Sequence, residues 1–126
     1  VPSPIPSARS TPLDWDDLQA RFRPDFVHKL LGTVLDSHQD TAAKIRAGAA
    51  QRDFHQLAFI AHSIKGVGGN IRAQAIYELA QQIHQAAVRE DPESFVLAEE
   101  LAGQMEHLLA EVEARLGLKH PGSGNN

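Results

Sequence analysis

From Phe95 to Leu116 the apolar residues Phe95, Ala98, Leu101, Met105, Leu108, Val112 and Leu116 return every three or four positions without interruption. That spacing matches the helical period and leaves Glu99, Glu100, Glu106, Glu111 and Glu113 off the seam. A helix this long with a single apolar stripe must bury the stripe against other helices. It is not a membrane span, because those glutamates would then face lipid.

Three more amphipathic segments supply the partners. Val27, Leu30, Leu31, Val34, Thr41, Ile45 and Ala49 keep the same spacing, which predicts one long helix from Pro24 to about Ala50, with the proline in its first turn. Asp53 is placed to cap the next helix, with Gln56 completing a capping box, and Phe54, Leu57, Ala61 and Ile64 form its inner face. It is expected to close in the Gly68-Gly69-Asn70 cluster, where a glycine or asparagine can take the left-handed conformation. From about Ala73 a further helix presents Ile76, Leu79, Ala80, Ile83 and Ala87, until Asp91-Pro92 stops it and starts the last one, which Gly117 and Pro121 end. Ahead of these, Leu13, Trp15, Leu18 and Phe22 suit a short helix whose positive end carries Asp14, Asp16 and Asp17.

No strand alternation and no fixed-period repeat interrupts this pattern. The expected fold is therefore all-α, an antiparallel four-helix bundle over residues 13–117 with a short additional N-terminal helix as a lid. Residues 1–12 hold four of the seven prolines and no amphipathic period, so they form a proline-rich linker; residues 118–126 are expected to be a flexible tail. Because the chain starts at Val1, it is expected to be a piece of something longer.

Composition narrows the function. Without cysteine there are no disulfides or thiolate metal sites. Twelve basic against sixteen acidic residues, with no basic stripe, argue against a nucleic-acid partner. No apolar run spans a bilayer and no signal peptide opens the chain, so no membrane contact is expected.

One stripe of the Asp53-capped helix breaks the polar-outside rule. His62, Lys65, Gly66 and Gly69 share a face, opposite Leu57, Ala61, Ile64, Gly68 and Ile71. An ordinary imidazole near neutral pH is largely uncharged and nucleophilic, able to accept an electrophile such as a phosphoryl group. Lys65, one turn along, offers a compact positive charge to phosphoryl oxygens, and the glycines permit close approach by a partner. No Gly-rich nucleotide loop and no carboxylate cluster for magnesium accompanies them, so any metal is expected to arrive with the partner. For Gly68, packing is the better reason. Phe59, one turn before His62, belongs either to a docking patch or to the edge of the core.

The run Ala61-His62-Ser63-Ile64-Lys65-Gly66, followed by Asn70-Ile71, resembles the signature of histidine-containing phosphotransfer (HPt) domains of bacterial phosphorelays. The helix order, Leu13-Asp14 and Glu78-Leu79-Ala80 extend the likeness over residues 13–117. The resemblance implies that His62 is the phosphorylated residue, that Lys65 steadies the phosphoryl group, and that Gly66 gives access to a receiver domain. It also implies a donor aspartyl phosphate and an acceptor aspartate on receivers, of the same hybrid kinase and of a response regulator, with magnesium bound by the receiver and no autonomous kinase activity. A proline-rich lead-in before such a domain looks like the C-terminal module of a hybrid sensor kinase of the Bvg or Evg type, at the cytoplasmic end of an inner-membrane sensor. Two departures stand out. Arg72 occupies a position that is often glycine, and His84 stands where many members have glutamine or glutamate facing the phosphorylated histidine. Either His84 or Gln81, one turn earlier, then supports the phosphoryl group.

Other readings compete. His28, His38, His107 and His120 have no constellation around them and are expected to be surface residues. His55, His62 and His84 raise a metal site, but His55 and His62 stand about 10 Å apart along a helix, too far to share one ion. A kinase dimerisation domain would usually place an acidic residue after the histidine, where Ser63 stands. A non-catalytic helical adaptor would leave His62 incidental. A monomeric bundle is expected.

Overall fold

The structure, a computed structural model, describes residues 15–117, and residues 1–14 and 118–126 lie outside it. The expected linker, tail, Leu13-Asp14 and Pro121 therefore fall outside the described residues. Six helices follow one another within them: α1 (Trp15–Arg21), α2 (Pro24–Ser37), α3 (Thr41–Ala50), α4 (Phe54–Asn70), α5 (Gln74–Val88) and α6 (Glu93–Leu116).

α3, α4, α5 and α6 pack in a ring, each against the next and α6 back against α3, while α2 extends the α3 side along α6. The direction of that side is fixed at both ends. Arg46 on α3 grips Glu99 and Glu106 in the first half and the middle of α6, whereas Val27, His28 and Leu31 of α2 share an apolar recess with Arg115 and Leu116 at its far end. The expected bundle is present, with the short α1 laid over one end: Leu18 is fully buried, and the Arg115 guanidinium sits 4.6 Å from the centre of the Trp15 ring.

The middle of each inner stripe is buried as the periodicity requires, while Leu30, Ala49, Phe54, Phe95 and Leu116 are partly buried against it. Leu57, Ile64, Ile76, Ile83, Leu101, Met105, Leu108 and Val112 are all essentially inaccessible. Ile60 and Ala86 join them, widening the apolar arcs of α4 and α5.

The one long helix expected from Pro24 to about Ala50 is corrected: it breaks between Ser37 and Thr41. The segment Asp36-Ser37-His38-Gln39-Asp40 is rich in side chains that compete with the helical backbone for hydrogen bonds. Here His38 Nδ1 lies 2.9 Å from Thr41 Oγ1, and the Gln39 amide donates back to the Leu35 carbonyl at 3.1 Å. His38 is thus a half-buried structural residue and not a free surface one; burial first, and Lys44 second, push its pKa below the ordinary imidazole value. The break was silent in the apolar pattern because Val34 and Thr41, seven residues apart, keep the same face on either side of it.

The Asp53-capped helix ends at Asn70, inside the expected cluster, but the left-handed residue is not the one expected. α4 runs straight through Gly68 and Gly69 to Asn70, and the left-handed residue is Arg72, with φ 60°. Its amide donates to Gly69 O, and the Ala73 amide donates to Gly68 O at 2.8 Å, so two terminal carbonyls are satisfied. Arg52 (φ 56°) after α3 and Glu90 (φ 59°) after α5 close their helices in the same way. Asp53 caps α4 through Gln56 N at 3.0 Å as expected, but its own amide goes to Gly48 O, so the Gln56 side chain has no return bond to make. The Asp91 carboxylate accepts from Glu93 N at the start of α6, and Gly117 ends it at φ 77°.

Arg72 also reaches Asp17 on α1 at 2.9 Å, and Asp17 pairs with Arg21 as well. Arg72 first, then Arg21, hold the Asp17 carboxyl below the usual range.

Two outcomes test this packing. Leu108→Ala is expected to lower unfolding stability by about 2 to 5 kcal/mol in denaturant titration. A loss near zero would misplace the core. Arg72→Gly and Arg72→Ala both lose the Asp17 pair, but only the alanine retains the left-handed strain. The glycine variant is therefore expected to be the more stable of the two by roughly 1 kcal/mol; equal midpoints would show that the backbone at residue 72 is relaxed.

Candidate functional site

The close approach of α4 and α5 governs the site. A methyl group at position 68 would lie 2.9 Å from the Tyr77 backbone nitrogen and 3.1 Å from its Cα, so only glycine lets the two backbones meet there. Gly69 lies beside the Tyr77 ring, where an added carbon would make ordinary contact at 3.7 Å. This crossing sets an antiparallel register in which positions before Gly68 on α4 face positions after Tyr77 on α5.

His62 and His84 meet in that register. Their ring centres are 5.6 Å apart with the planes tilted by 44°. His62 is exposed and His84 half-buried, while their neighbours Ala61, Ile64, Ala80 and Ile83 are buried beneath them. The imidazole of His62 therefore stands on a packed floor and opens outward.

Around the pair, each residue singled out in the sequence can be placed. Lys65 is half-buried one turn along α4, and Gly66 is exposed. A methyl group at residue 66 would meet nothing within 4 Å, so its missing side chain has no explanation inside the fold, in contrast to Gly68. Phe59 is 69 % exposed, which settles it as surface and not core edge. His55 is also exposed, a further turn away, and makes no ring contact with the pair. Gln81 is half-buried one turn before His84; the ring brought against His62 is that of His84. Among the described residues no three His, Cys, Asp or Glu side chains come together as metal ligands would.

Residues that the sequence pattern did not single out also border the site. Val88, one turn after His84, is 62 % exposed, and the antiparallel register puts it on the Phe59 side of the histidines. Its place outside the buried α5 stripe of Ile76, Leu79, Ala80, Ile83 and Ala87 was a usable signal, because a surface valine at a helix end has little local purpose. On the other flank of α4 a cleft of about 350 Å³ is lined by His38, Thr41, Lys44, Phe59 and Ser63. No periodicity argument finds it, since it exists only because the α2–α3 break turns toward α4.

Chemically, the face offers an accessible ring nitrogen, a second imidazole, an ammonium, bare backbone and flanking apolar groups, with no nucleotide cradle. It suits transfer of a group brought by another macromolecule. No helix among the described residues is long and apolar enough to cross a membrane.

The family model for the Hpt domain matches residues 29–115, which include every helix from α3 to α5 and nearly all of α6. No curated protein and no solved structure is detectably similar to the chain. With more than two thirds of its length matched, and a bundle of the expected kind displaying a histidine on its surface, the chain belongs to the Hpt domain family, the phosphotransfer modules of phosphorelay signalling that interact with receiver domains.

Proposed function

We propose that His62 is the phosphoacceptor of this domain, taking a phosphoryl group from a receiver aspartate and passing it to the aspartate of a response regulator. The observation that carries this reading is an outward-facing imidazole on a fully packed floor, beside a glycine whose open space the fold itself does not require. A ring nitrogen of His62 attacks phosphorus, the N–P bond forms as the P–O bond to the aspartate breaks, and the aspartate leaves as a carboxylate. The second transfer reverses these roles. Lys65 faces the phosphoryl oxygens as charge moves through the transition state. Gly66 and Gly69 admit the receiver backbone, and Phe59 and Val88 give it an apolar footing, with His55 at the rim.

Magnesium is assigned to the receiver, whose carboxylates hold it. The domain acts without kinase activity of its own, as a monomer, in the cytoplasm, and as a module of a hybrid sensor kinase. A dimerisation domain or an inert adaptor is the competing reading, and labelling separates them.

His62→Gln is expected to fold normally and to accept no phosphate from a phosphorylated receiver; acid-labile label on that variant would end the proposal. Lys65→Ala should slow transfer roughly tenfold, or ~1.4 kcal/mol in the barrier, measured by rapid quench, and an unchanged rate would make the ammonium a bystander. Gly66→Ala separates folding from docking. It should raise stability by roughly 0.5 to 1 kcal/mol through helix propensity while slowing transfer, and a variant that is both more stable and equally fast would remove Gly66 from the docking face.

A further inference from the structure

We propose that His84 is a proton-carrying positioning residue: its imidazolium form hydrogen-bonds the phosphoryl group held on His62, so phosphoryl occupancy of His62 rises as pH falls. The inference rests on the reading of His62 as acceptor and adds a regulatory property to that site.

The geometry points there first. The two rings stand 5.6 Å apart and tilted, with no helix between them, so a phosphoryl group bonded to a nitrogen of one ring comes within reach of the other. His84 is half-buried, so part of its ring stays accessible beside His62. Among the described residues no hydrogen bond or ion pair engages His84, so its ring nitrogens are uncommitted to any other structural task.

The charges around it favour this role. From α4 the ring that faces His84 is that of His62, and Lys65 is half-buried one turn along the same helix. On its own helix the residues one turn away are Ala80, Gln81, Ala87 and Val88, none of them charged. Arg89, further on, is exposed and leans to Asp91. On α6, Glu99 and Glu106 are held by Arg46 of α3 on the far side of the bundle, and Glu100 is exposed. Among the described residues no carboxylate forms an ion pair or hydrogen bond with His84. A dianionic phosphoryl group on His62 would place negative charge beside the His84 ring.

The sign follows from linkage. A nearby anion raises the proton affinity of an imidazole, and by reciprocity a proton taken from solvent by His84 strengthens the hold on the phosphoryl group. A glutamine in its place can donate a hydrogen bond at any pH but carries no charge, so His84→Gln keeps the contact and removes the titration.

The test equilibrates the full chain, wild type or His84→Gln, with a phosphorylated receiver between pH 8 and pH 6 and measures the phosphohistidine to phosphoaspartate ratio. Dividing wild type by variant cancels the pH response of the receiver and the part of the response of His62 that does not depend on the neighbouring ring. That quotient is expected to rise about fivefold or more as pH falls; a flat quotient overturns the inference. Independently of any variant, NMR titration of the His84 ring before and after loading wild type with phosphoramidate should show its midpoint move to higher pH. An unmoved midpoint in the phosphorylated chain overturns the inference while leaving His62 as acceptor. If wild type takes no phosphate from either donor, the acceptor reading falls and this inference falls with it.

Discussion

Backbone meets backbone where α4 crosses α5 at Gly68 and Tyr77, and the register of the two helices follows from that meeting. No side chain stands between the two chains at that point, so the distance is set by main-chain atoms, which do not repack. Below it, Ala61 and Ala80 are small and fully covered, and Ile64, Ile76 and Ile83 fill the remaining space. Once this contact fixes the register, the His84 ring comes to lie against that of His62. A half-turn slip would separate the rings and leave an isolated surface histidine.

The connections around this pair are made at a conformational cost that the fold accepts three times. Arg52, Arg72 and Glu90 all sit in the left-handed region, where a side chain costs roughly 1 to 2 kcal/mol relative to the right-handed one. Each lets the next amide reach back to a terminal carbonyl, as Asp53, Ala73 and Asp91 do to Gly48, Gly68 and Ala86. Closing a helix this tightly keeps the following one short of slack and antiparallel. At residue 72 the same side chain also ties α1 to the α4–α5 turn through Asp17, so a position where glycine would be easier has a second use for an arginine.

The result is a division of labour between the two sides of α4. One side supplies Leu57, Ile60, Ala61, Ile64 and Gly68 to the core and is buried. The other carries the imidazole, the ammonium and the open space over Gly66, and does nothing for stability that the fold requires. A phosphotransfer module needs both properties together, because transfer is largely a matter of placement. Phe59 and Val88 add exposed apolar surface beside the imidazole.

Much of this molecule was legible in one dimension. Apolar spacing identified the inner face of every long helix, since burial of a helix selects residues at the period of its own turn, and the His62-Lys65-Gly66 run was visible for the same geometric reason. The α2–α3 break was not, because Val34 and Thr41 stay in phase across it and the His38 to Thr41 contact that closes it is made in space. Neither was the closing role of Arg72, since a left-handed arginine is chosen by the carbonyls of Gly68 and Gly69 and not by its own preference. Gln81 and His84 were equivalent by spacing, one turn apart on one face. Period alone says which face of a helix looks outward, while the choice between those two residues depends on how far α5 is slid along α4, and that offset is a property of the packed pair.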